Sequence, residues 1–294
     1  MAGLKEVRVR IASVKTTLQI TSAMKMMAAA KLRKAQSAII KLRPYALKLN
    51  DILGNLSTSI EDSSENLYAK QRVPEKILLI VIASNRGLSG SFNSNVIRAT
   101  TSLIVKDFAT QARKNNITLI TIGRKASEYF RKRNYNVIES HDDIFDNLTY
   151  ENVTLLAEKI MLAFVNKEYD RVYIIYNQFK NASVQNLVVE QYLPIIPGNL
   201  GTVKPASLSN YLFEPDKETI LHELIPKSLR IKLFKALLDS YASEQGARMT
   251  AMQNASTNAQ DMIRELQLSY NKARQAAITK ELLEIVSGAE ALKG

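Results

Sequence analysis

Two long heptad seams, one at each end of the chain, constrain its fold more than any other feature. In the first, steps of three and four residues from Leu4 to Ile60 meet apolar residues everywhere except at Thr21 and Lys25. The positions are Leu4, Val7, Ile11, Val14, Leu18, Thr21, Lys25, Ala28, Leu32, Ala35, Ile39, Leu42, Ala46, Leu49, Leu53, Leu56 and Ile60. A seam of this length is typical of a coiled coil. Pro44 interrupts it, which predicts a local kink or a weakened turn.

The C-terminal region carries a second seam with the same spacing. It runs through Met249, Met252, Ser256, Ala259, Ile263, Leu266, Tyr270, Ala273 and Ala277. It then slips by one residue and continues through Ile278, Leu282, Ile285, Ala289 and Leu292. The slip predicts a tip that unwinds from its partner or stands alone. Pro226 is suited to the first turn of this helix, within a C-terminal segment 208–294.

The two predicted helices, 1–60 and 208–294, have two possible modes of pairing. They can pair antiparallel with each other inside one chain, or each can pair in a parallel homodimer. Small seam residues such as Ala28, Ala35 and Ala259 favour the close, slender intramolecular pair.

The middle of the chain, 75–205, alternates short apolar strands with amphipathic helices. The predicted strands are Ile77–Ala83, Ile117–Ile122, Tyr135–Ile138, Arg171–Asn177 and Asn186–Tyr192. Between them, one helix has Val96, Thr100 and Ile104 on its apolar face, and a later one has Leu155, Leu156, Ile160, Ala163 and Phe164. This alternation predicts a mainly parallel, Rossmann-like α/β domain, entered through a polar linker at 61–75. The fold class is therefore α/β with a long antiparallel coiled coil of the terminal helices.

The turn Ser84–Asn93 follows the first strand and opens a helix, which is where phosphate-binding loops occur. It matches neither G-x-G-x-x-G nor G-x-x-x-x-G-K-[ST], and no Lys follows to reach a phosphate. We interpret it as a tight glycine turn that lets the helix pack on the strand.

Catalytic and metal-binding chemistry find no support in the sequence. The chain has no cysteine and two histidines, His141 and His222, which are a poor metal set. Ser89 lacks the G-x-S-x-G context of a nucleophile, and neither histidine has a visible role as its base. We therefore expect no catalytic residue, no metal and no cofactor.

Positive charge is concentrated on the first helix. Residues 1–50 contain eleven Lys or Arg and one acid, Glu6, in a chain of net charge +12. Such a face is either simply solvated or binds an anionic partner: nucleic acid, a lipid surface or an acidic protein.

No apolar run reaches the roughly 18 residues that cross a bilayer, and the N-terminus lacks signal- and transit-peptide features, so we expect a cytosolic location without membrane insertion.

Five segments resemble one family. Thr21–Leu32 resembles the first helix of the gamma subunit of rotary F-type ATP synthases, and Arg86–Asn93 is similar to the turn in that family's α/β domain. Ala247–Met252, Tyr270–Glu281 and Glu284–Glu290 resemble its C-terminal signature. The resemblance covers both termini and the middle, and the absence of a transit peptide and of the chloroplast regulatory insertion favours the bacterial type.

The resemblance implies a non-catalytic role in a proton-translocating complex. In that family the coiled coil is the central-stalk rotor inside a ring of alpha and beta subunits, and a membrane c-ring drives its rotation. The rotor then moves each catalytic beta subunit through its conformations for ATP synthesis. The expected partners are alpha, beta, epsilon and the c-ring, without nucleic acid, at the cytoplasmic face of the bacterial inner membrane as a peripheral F1 component.

The resemblance also implies specific contact residues. Met24 and Lys25 match the region that faces the beta lever, and Arg248 matches a neighbouring shaft residue. Arg274, Gln275, Thr279 and Glu281 match the region gripped by the beta catch loop. The tip looks like an apolar end held in a sleeve of the ring, through Leu282, Ile285, Val286, Ala289 and Leu292. For each side chain, ordinary coiled-coil packing is the alternative.

Two hypotheses from other classes remain open at this point. One is a nucleic-acid-binding coiled coil that uses the basic first helix and has steeply salt-dependent affinity. The other is a nucleotide-dependent enzyme that uses the central α/β domain.

Overall fold

The computed structural model describes residues 4–55, 67–195 and 217–291. The chain divides into two compact units, each considered by itself below. The coiled-coil unit comprises residues 1–28 and 249–294, and the α/β unit comprises residues 29–248.

Two long helices contribute to both units. Helix α1 spans Leu4–Asn55 and helix α6 spans Lys217–Ala291. No described seam position of α1 is exposed as far as Leu53, and Leu56 and Ile60 lie outside the described residues. Beyond Ala28, however, α1 lies in the α/β unit, where Leu49 and Leu53 belong to the core of that unit. Pro44 lies inside α1, which continues through it as a helix.

Helix α6 begins at Lys217, so the prediction that Pro226 occupies its first turn is wrong. A proline inside a helix lacks the N–H for one helical hydrogen bond and costs about 3 kcal/mol. Burial of the flanking Leu221, Ile225 and Leu229 in the core offsets this penalty, because each is at most 4% exposed.

The helices of the coiled-coil unit are antiparallel. Cross-helix hydrogen bonds join Arg8 to Tyr270 and Thr21 to Ser256, both at 2.8 Å, and Lys25 to Gln253 at 2.7 Å. Residue numbers rise along one helix as they fall along the other. This confirms intramolecular antiparallel pairing.

The α/β unit is built on a five-stranded sheet in the order β3-β2-β1-β4-β5. The strands are β1 Ile77–Ile82, β2 Ile117–Ile122, β3 Val137–Ser140, β4 Arg171–Phe179 and β5 Gln185–Leu193. Strands β3, β2, β1 and β4 are parallel, whereas β5 is antiparallel to β4. The prediction of a mainly parallel Rossmann-like sheet is confirmed, with the third strand two residues further along than expected.

Among the described residues, four shorter helices pack around the sheet. They are α2 Phe92–Lys106, α3 Ala109–Arg113, α4 Arg124–Arg131 and α5 Tyr150–Val165. In α5 the buried face includes Leu156, Ile160 and Phe164 as predicted, but Leu155 is 68% exposed. Leu155 neighbours Leu156 in sequence and therefore points about 100° away from it around the helix.

Both faces of the sheet are buried, which explains why β1 is apolar without alternation. Leu78, Ile80 and Ile82 face a core shared with α5 and with the parts of α1 and α6 that lie in this unit. Ile77, Leu79 and Val81 face a second core beneath α2 and α4. In the part of the chain that the structure describes, no helix is long and apolar enough to span a bilayer.

Candidate partner-contact surfaces

The polar interruption of the first seam forms a hydrogen-bonded layer between the two helices. Thr21 and Ser256 are 8% and 7% exposed, and their hydroxyls share a hydrogen bond of 2.8 Å. One turn along, Lys25 Nζ donates to Gln253 Oε1, so this half-buried side chain already has a partner on α6. Polar pairs inside an apolar seam fix the register of a coiled coil.

Exposed methionines lie beside this layer. Met24 is half-buried, whereas Met26 and Met27 are 65% and 60% exposed. Met26 and Met27 were missed in the sequence, although two adjacent apolar residues outside the heptad seam are a detectable signal. Methionine is flexible and polarizable, so this pair is suited to a partner whose surface changes.

The basic residues of α1 are accessible for long-range attraction. Within the coiled-coil unit, Lys5, Arg8, Arg10 and Lys15 are all exposed. Within the described residues, none of the four forms an ion pair. The charge on α1 therefore remains available to an acidic surface.

The distal part of α6 has no facing helix among the described residues. Arg8 lies opposite Tyr270, so continuing the same register places Leu4 near residue 274. Arg274, Gln275, Thr279 and Glu281 are all exposed, and every described residue from Ile278 to Ala291 is exposed. This exposure agrees with the prediction of a tip that unwinds or stands alone, since α6 continues past Leu4, the first described residue of α1.

The predicted apolar tip residues are exposed as far as the structure describes them. Leu282, Ile285 and Val286 are 57%, 68% and 58% exposed, Ala289 is also exposed, and Leu292 lies outside the described residues. Several large apolar side chains exposed at one helix end are unusual for a surface that faces only water.

Arg248 is placed differently from the other predicted contact residues, because its guanidinium group points inward within the α/β unit. It pairs with Glu244 at 2.5 Å and donates to the carbonyl oxygens of Arg86 and Gly87 at 3.2 and 3.3 Å. The side chains of Arg248 and Glu244 are only 11% and 8% exposed. Burial raises the pKa of Glu244, and the charge and hydrogen bond of Arg248 oppose that rise. Arg248 therefore holds the turn after β1 against α6.

Several polar groups of the turn Ser84–Asn93 bond within the turn, and others bond to neighbouring segments, as the Asn85 side chain does to Asp142 and Arg124. The Ser84 amide donates to Asn93 Oδ1 at 2.9 Å, and the Ser84 hydroxyl donates to the Arg86 carbonyl at 2.6 Å. Gly90 has a φ of 59°, in the left-handed region that glycine adopts without strain. Asn177 supports the start of α2 by donating to the Phe92 carbonyl at 3.0 Å. This geometry agrees with the interpretation as a tight packing turn.

Neither histidine lies in a metal-binding cluster. His141 Nε2 lies 3.0 Å from Glu139, which also contacts Lys159. The hydrogen bond from Lys159, supported by His141, lowers the pKa of Glu139. Among the described residues, no group of three His, Cys, Asp or Glu side chains could hold a metal ion.

Comparison with known proteins gives full-length matches. A family model described as ATP synthase matches residues 3–292. The ATP synthase gamma chain of Cytophaga hutchinsonii is 49% identical over 293 residues, covering 99% of each chain. That of Flavobacterium psychrophilum is 50% identical over 294 residues, covering 100% of each chain.

Solved structures with similar folds come from mitochondrial ATP synthases. A chain of the Tetrahymena thermophila central stalk and c-ring matches with a TM-score of 0.59 and 28% identity, over 81% of this chain and 99% of that one. A chain of the Euglena gracilis OSCP/F1/c-ring assembly matches with a TM-score of 0.68 over 98% of this chain and 94% of that one. At 20% identity, the second match supports the fold alone.

Proposed function

The chain belongs to the ATP synthase gamma chain family, and from this premise we propose how its surfaces couple rotation to catalysis. As a gamma chain it is the rotor subunit of the central stalk. We propose that its coiled-coil unit turns inside a ring of alpha and beta subunits, with the catalytic sites on beta. We further propose that a c-ring drives the rotation and that epsilon binds the rotor, at the cytoplasmic face of the membrane.

One observation carries this proposal: the surface of the coiled-coil unit differs from side to side and from end to end. Helix α1 presents cations and the exposed Met26 and Met27, whereas the distal part of α6 presents polar side chains and then apolar ones. Each orientation of such a rotor offers a beta subunit different contacts, so each stabilises a different beta conformation.

The charge on α1 supports rotation rather than fixed binding. Unpaired surface cations attract an acidic surface over about 8 Å at physiological salt and require no single register. Two of these cations already have a partner on α6: the Arg8 guanidinium donates to Tyr270, and the Lys25 ammonium donates to Gln253. A contact between Lys25 and beta would therefore replace an existing hydrogen bond.

The residues matched to the catch loop are well placed for a direct contact. Arg274, Gln275, Thr279 and Glu281 are exposed, and Thr279 and Glu281 lie beyond the part of α6 that the described residues of α1 face. Beyond them, the apolar tip would lie in a sleeve formed by the ring. Family membership favours this function over nucleic-acid binding by the basic helix.

Co-purification tests the assignment. The tagged chain, co-expressed with the alpha and beta subunits of its own organism, should bring down both in a complex that hydrolyses ATP and rotates an attached bead. A chain that folds but recovers neither subunit would overturn the rotor function. Steeply salt-dependent retention of DNA in place of these subunits would support the nucleic-acid hypothesis instead.

Matched substitutions test the catch-loop residues. Arg274→Ala, Gln275→Ala and Glu281→Ala together should lower ATP-driven proton pumping about tenfold, because central interface contacts carry most of the interaction energy. The control combines Arg264→Ala, Gln260→Ala and Glu265→Ala, which remove the same residue types from exposed positions on the same helix. Equal effects of the two sets would contradict the proposed contact.

A further inference from the structure

A basic groove runs between α2 and α4 on the α/β unit, and we propose that it docks an acidic, amphipathic segment of a partner polypeptide. The groove has a volume of about 950 Å³. It lies above the core that β1 shares with α2 and α4, on the sheet face opposite the one that packs against α1 and α6. A segment bound there would not displace either long helix.

The charge of the groove is strongly one-sided. Its cations are Arg98, Lys106, Lys125, Lys132 and Arg133, and the one acid among its lining residues is Glu128. Lys125 pairs with Glu128 at 2.9 Å. Within the described residues, the other four cations form no ion pair. Four unpaired cations around one concavity favour an occupant that carries several negative charges.

The floor of the groove is apolar. Val105 is 63% exposed, Ile97 and Tyr129 are half-buried, and the Arg133 guanidinium lies 3.8 Å from the centre of the Tyr129 ring. An occupant that is only anionic would leave this floor in contact with water. An occupant with apolar side chains on one face and carboxylates on the other satisfies both the floor and the rim.

Two hydroxyl groups of the groove already donate to the backbone and are not free to donate to a sugar or a phosphate. Thr101 donates to the Ile97 carbonyl at 2.9 Å, and Ser94 donates to the Ser91 carbonyl at 2.9 Å. Both hydroxyls are therefore committed to the backbone of α2 or its first turn. The concave shape also disfavours a flat bilayer surface, which would contact the rim alone.

The charge of this region is independent of the basic first helix. Residues 92–133 contain nine Lys or Arg and two acids, Asp107 and Glu128. The groove is therefore a second concentration of positive charge. It offers the rotor a way to hold a further acidic chain, for assembly or regulation, outside the coiled-coil unit.

A defined peptide tests the proposal on the full-length chain. The probe is a fluorescent 18-residue helix-forming peptide with leucines on one face and glutamates on the other, measured by fluorescence anisotropy. Controls are a scrambled peptide of the same composition, polyglutamate of the same length, single-stranded DNA and vesicles with a quarter of anionic lipid. The amphipathic peptide should bind most tightly, and its affinity should fall as salt increases.

Three variants locate the binding. The double variant Arg98→Glu/Lys132→Glu should weaken binding about tenfold, because each reversal replaces an attraction by a repulsion. Val105→Ser should weaken binding of the amphipathic peptide but not of polyglutamate. The control Lys114→Glu/Lys180→Glu makes the same charge change at exposed positions outside the groove. It should lower the affinity for the peptide only slightly, through the change in net charge, and this small loss should disappear at high salt.

Several outcomes would overturn the proposal. They are equal binding of the scrambled peptide or polyglutamate, equal loss in the groove and control variants, and preferential binding of the vesicles or DNA. Since the test measures the groove alone, its failure would leave the rotor function standing. Failure of co-purification with alpha and beta would likewise leave the groove standing.

Discussion

Asp239 is the buried carboxyl group in the α/β unit whose ionisation is most clearly opposed by its surroundings. It lies on α6 and is 5% exposed. Burial raises its pKa from the ordinary 3.8 to about 6, although Lys235 and Arg43 oppose the rise. The folded chain therefore binds this proton more tightly than the unfolded chain. The resulting stability is fully present below pH 3.8 and is lost as pH rises through about 6.

Replacing Asp239 by asparagine should remove this penalty. Well above pH 6, Asp239→Asn should raise the free energy of unfolding by about 3 kcal/mol, since one pKa unit corresponds to about 1.4 kcal/mol. Urea denaturation between pH 4 and pH 8 measures the effect, and the variant should show a flatter pH dependence between 4 and 6. Asp261→Asn, at an exposed position on the same helix, is the control. A lower free energy of unfolding for Asp239→Asn at pH 8 would contradict this prediction, because it would show that the charged carboxylate stabilises the fold.

The Arg248 side chain stabilises the α/β unit and is also a candidate shaft contact. Arg248→Ala should destabilise the α/β unit by about 3 kcal/mol, because it leaves Glu244 buried without its cation and two carbonyl groups without a donor. Arg248→Lys should recover only part of this, since an ammonium lacks the planar fork that reaches three acceptors.

A double-mutant cycle separates the two roles of Arg248. Glu244→Gln should reduce the cost of Arg248→Ala, because the buried charge is then absent. Thermal unfolding gives the stability term, and proton pumping by the assembled complex gives the coupling term. Arg264→Ala, whose side chain is 76% exposed, is the matched control. An unchanged stability in Arg248→Ala would show that its contacts with the turn contribute nothing.

Among the elements, the coiled coil depends on one polar layer for its register. Thr21→Val alone should cost about 1–2 kcal/mol, because the Ser256 hydroxyl is then buried without its partner. Thr21→Val/Ser256→Ala should be near neutral in stability, since Val has the shape of Thr and Ala removes only the Ser hydroxyl. Chemical denaturation of the single and double variants gives the coupling energy.

The same double variant should have a looser register. Polar layers specify alignment at some expense of stability, so their removal permits sliding of one helix along the other. Thr16→Val/Thr257→Val, at exposed positions, is the control. A double variant that is as destabilised as the sum of the two single variants would contradict the importance of this hydrogen bond.

Elements with a strong period were predictable from sequence, and contacts between distant segments were not. The heptad seams and the strands β1 and β2 follow from repeating local patterns, which packing then preserves. The contact of Arg248 with Arg86 joins residues 162 apart in the chain, and no local pattern encodes it. Pro226 inside α6 reflects tertiary burial that outweighs local propensity. The groove was not predicted from the sequence because its two walls belong to α2 and α4, which β2 separates in the chain.

At the scale of the whole molecule, charge and exposure divide the partner surfaces into three kinds. Helix α1 offers unpaired cations, the distal part of α6 offers exposed polar and then apolar side chains, and the α2–α4 groove combines cations with an apolar floor. The candidate contacts on α1 and α6 were predictable because the resemblance identified their segments. The exposure of these residues was not predictable, because it depends on the register of α1 against α6, which Thr21 and Ser256 help to set.

Deletion of residues 278–294 tests how much the free tip contributes. The described residues of this segment are exposed and face no other helix, so their loss removes no seam packing from α1. The truncated chain should keep its unfolding temperature and still recover alpha and beta subunits, while ATP-driven proton pumping falls relative to hydrolysis because the shaft end is no longer supported. A second variant, Leu282→Ser/Ile285→Ser in the full-length chain, should reduce pumping in the same direction, since it removes the apolar contact and keeps the length. Complete loss of the complex on truncation would show that the tip is required for assembly, and this would contradict a bearing role.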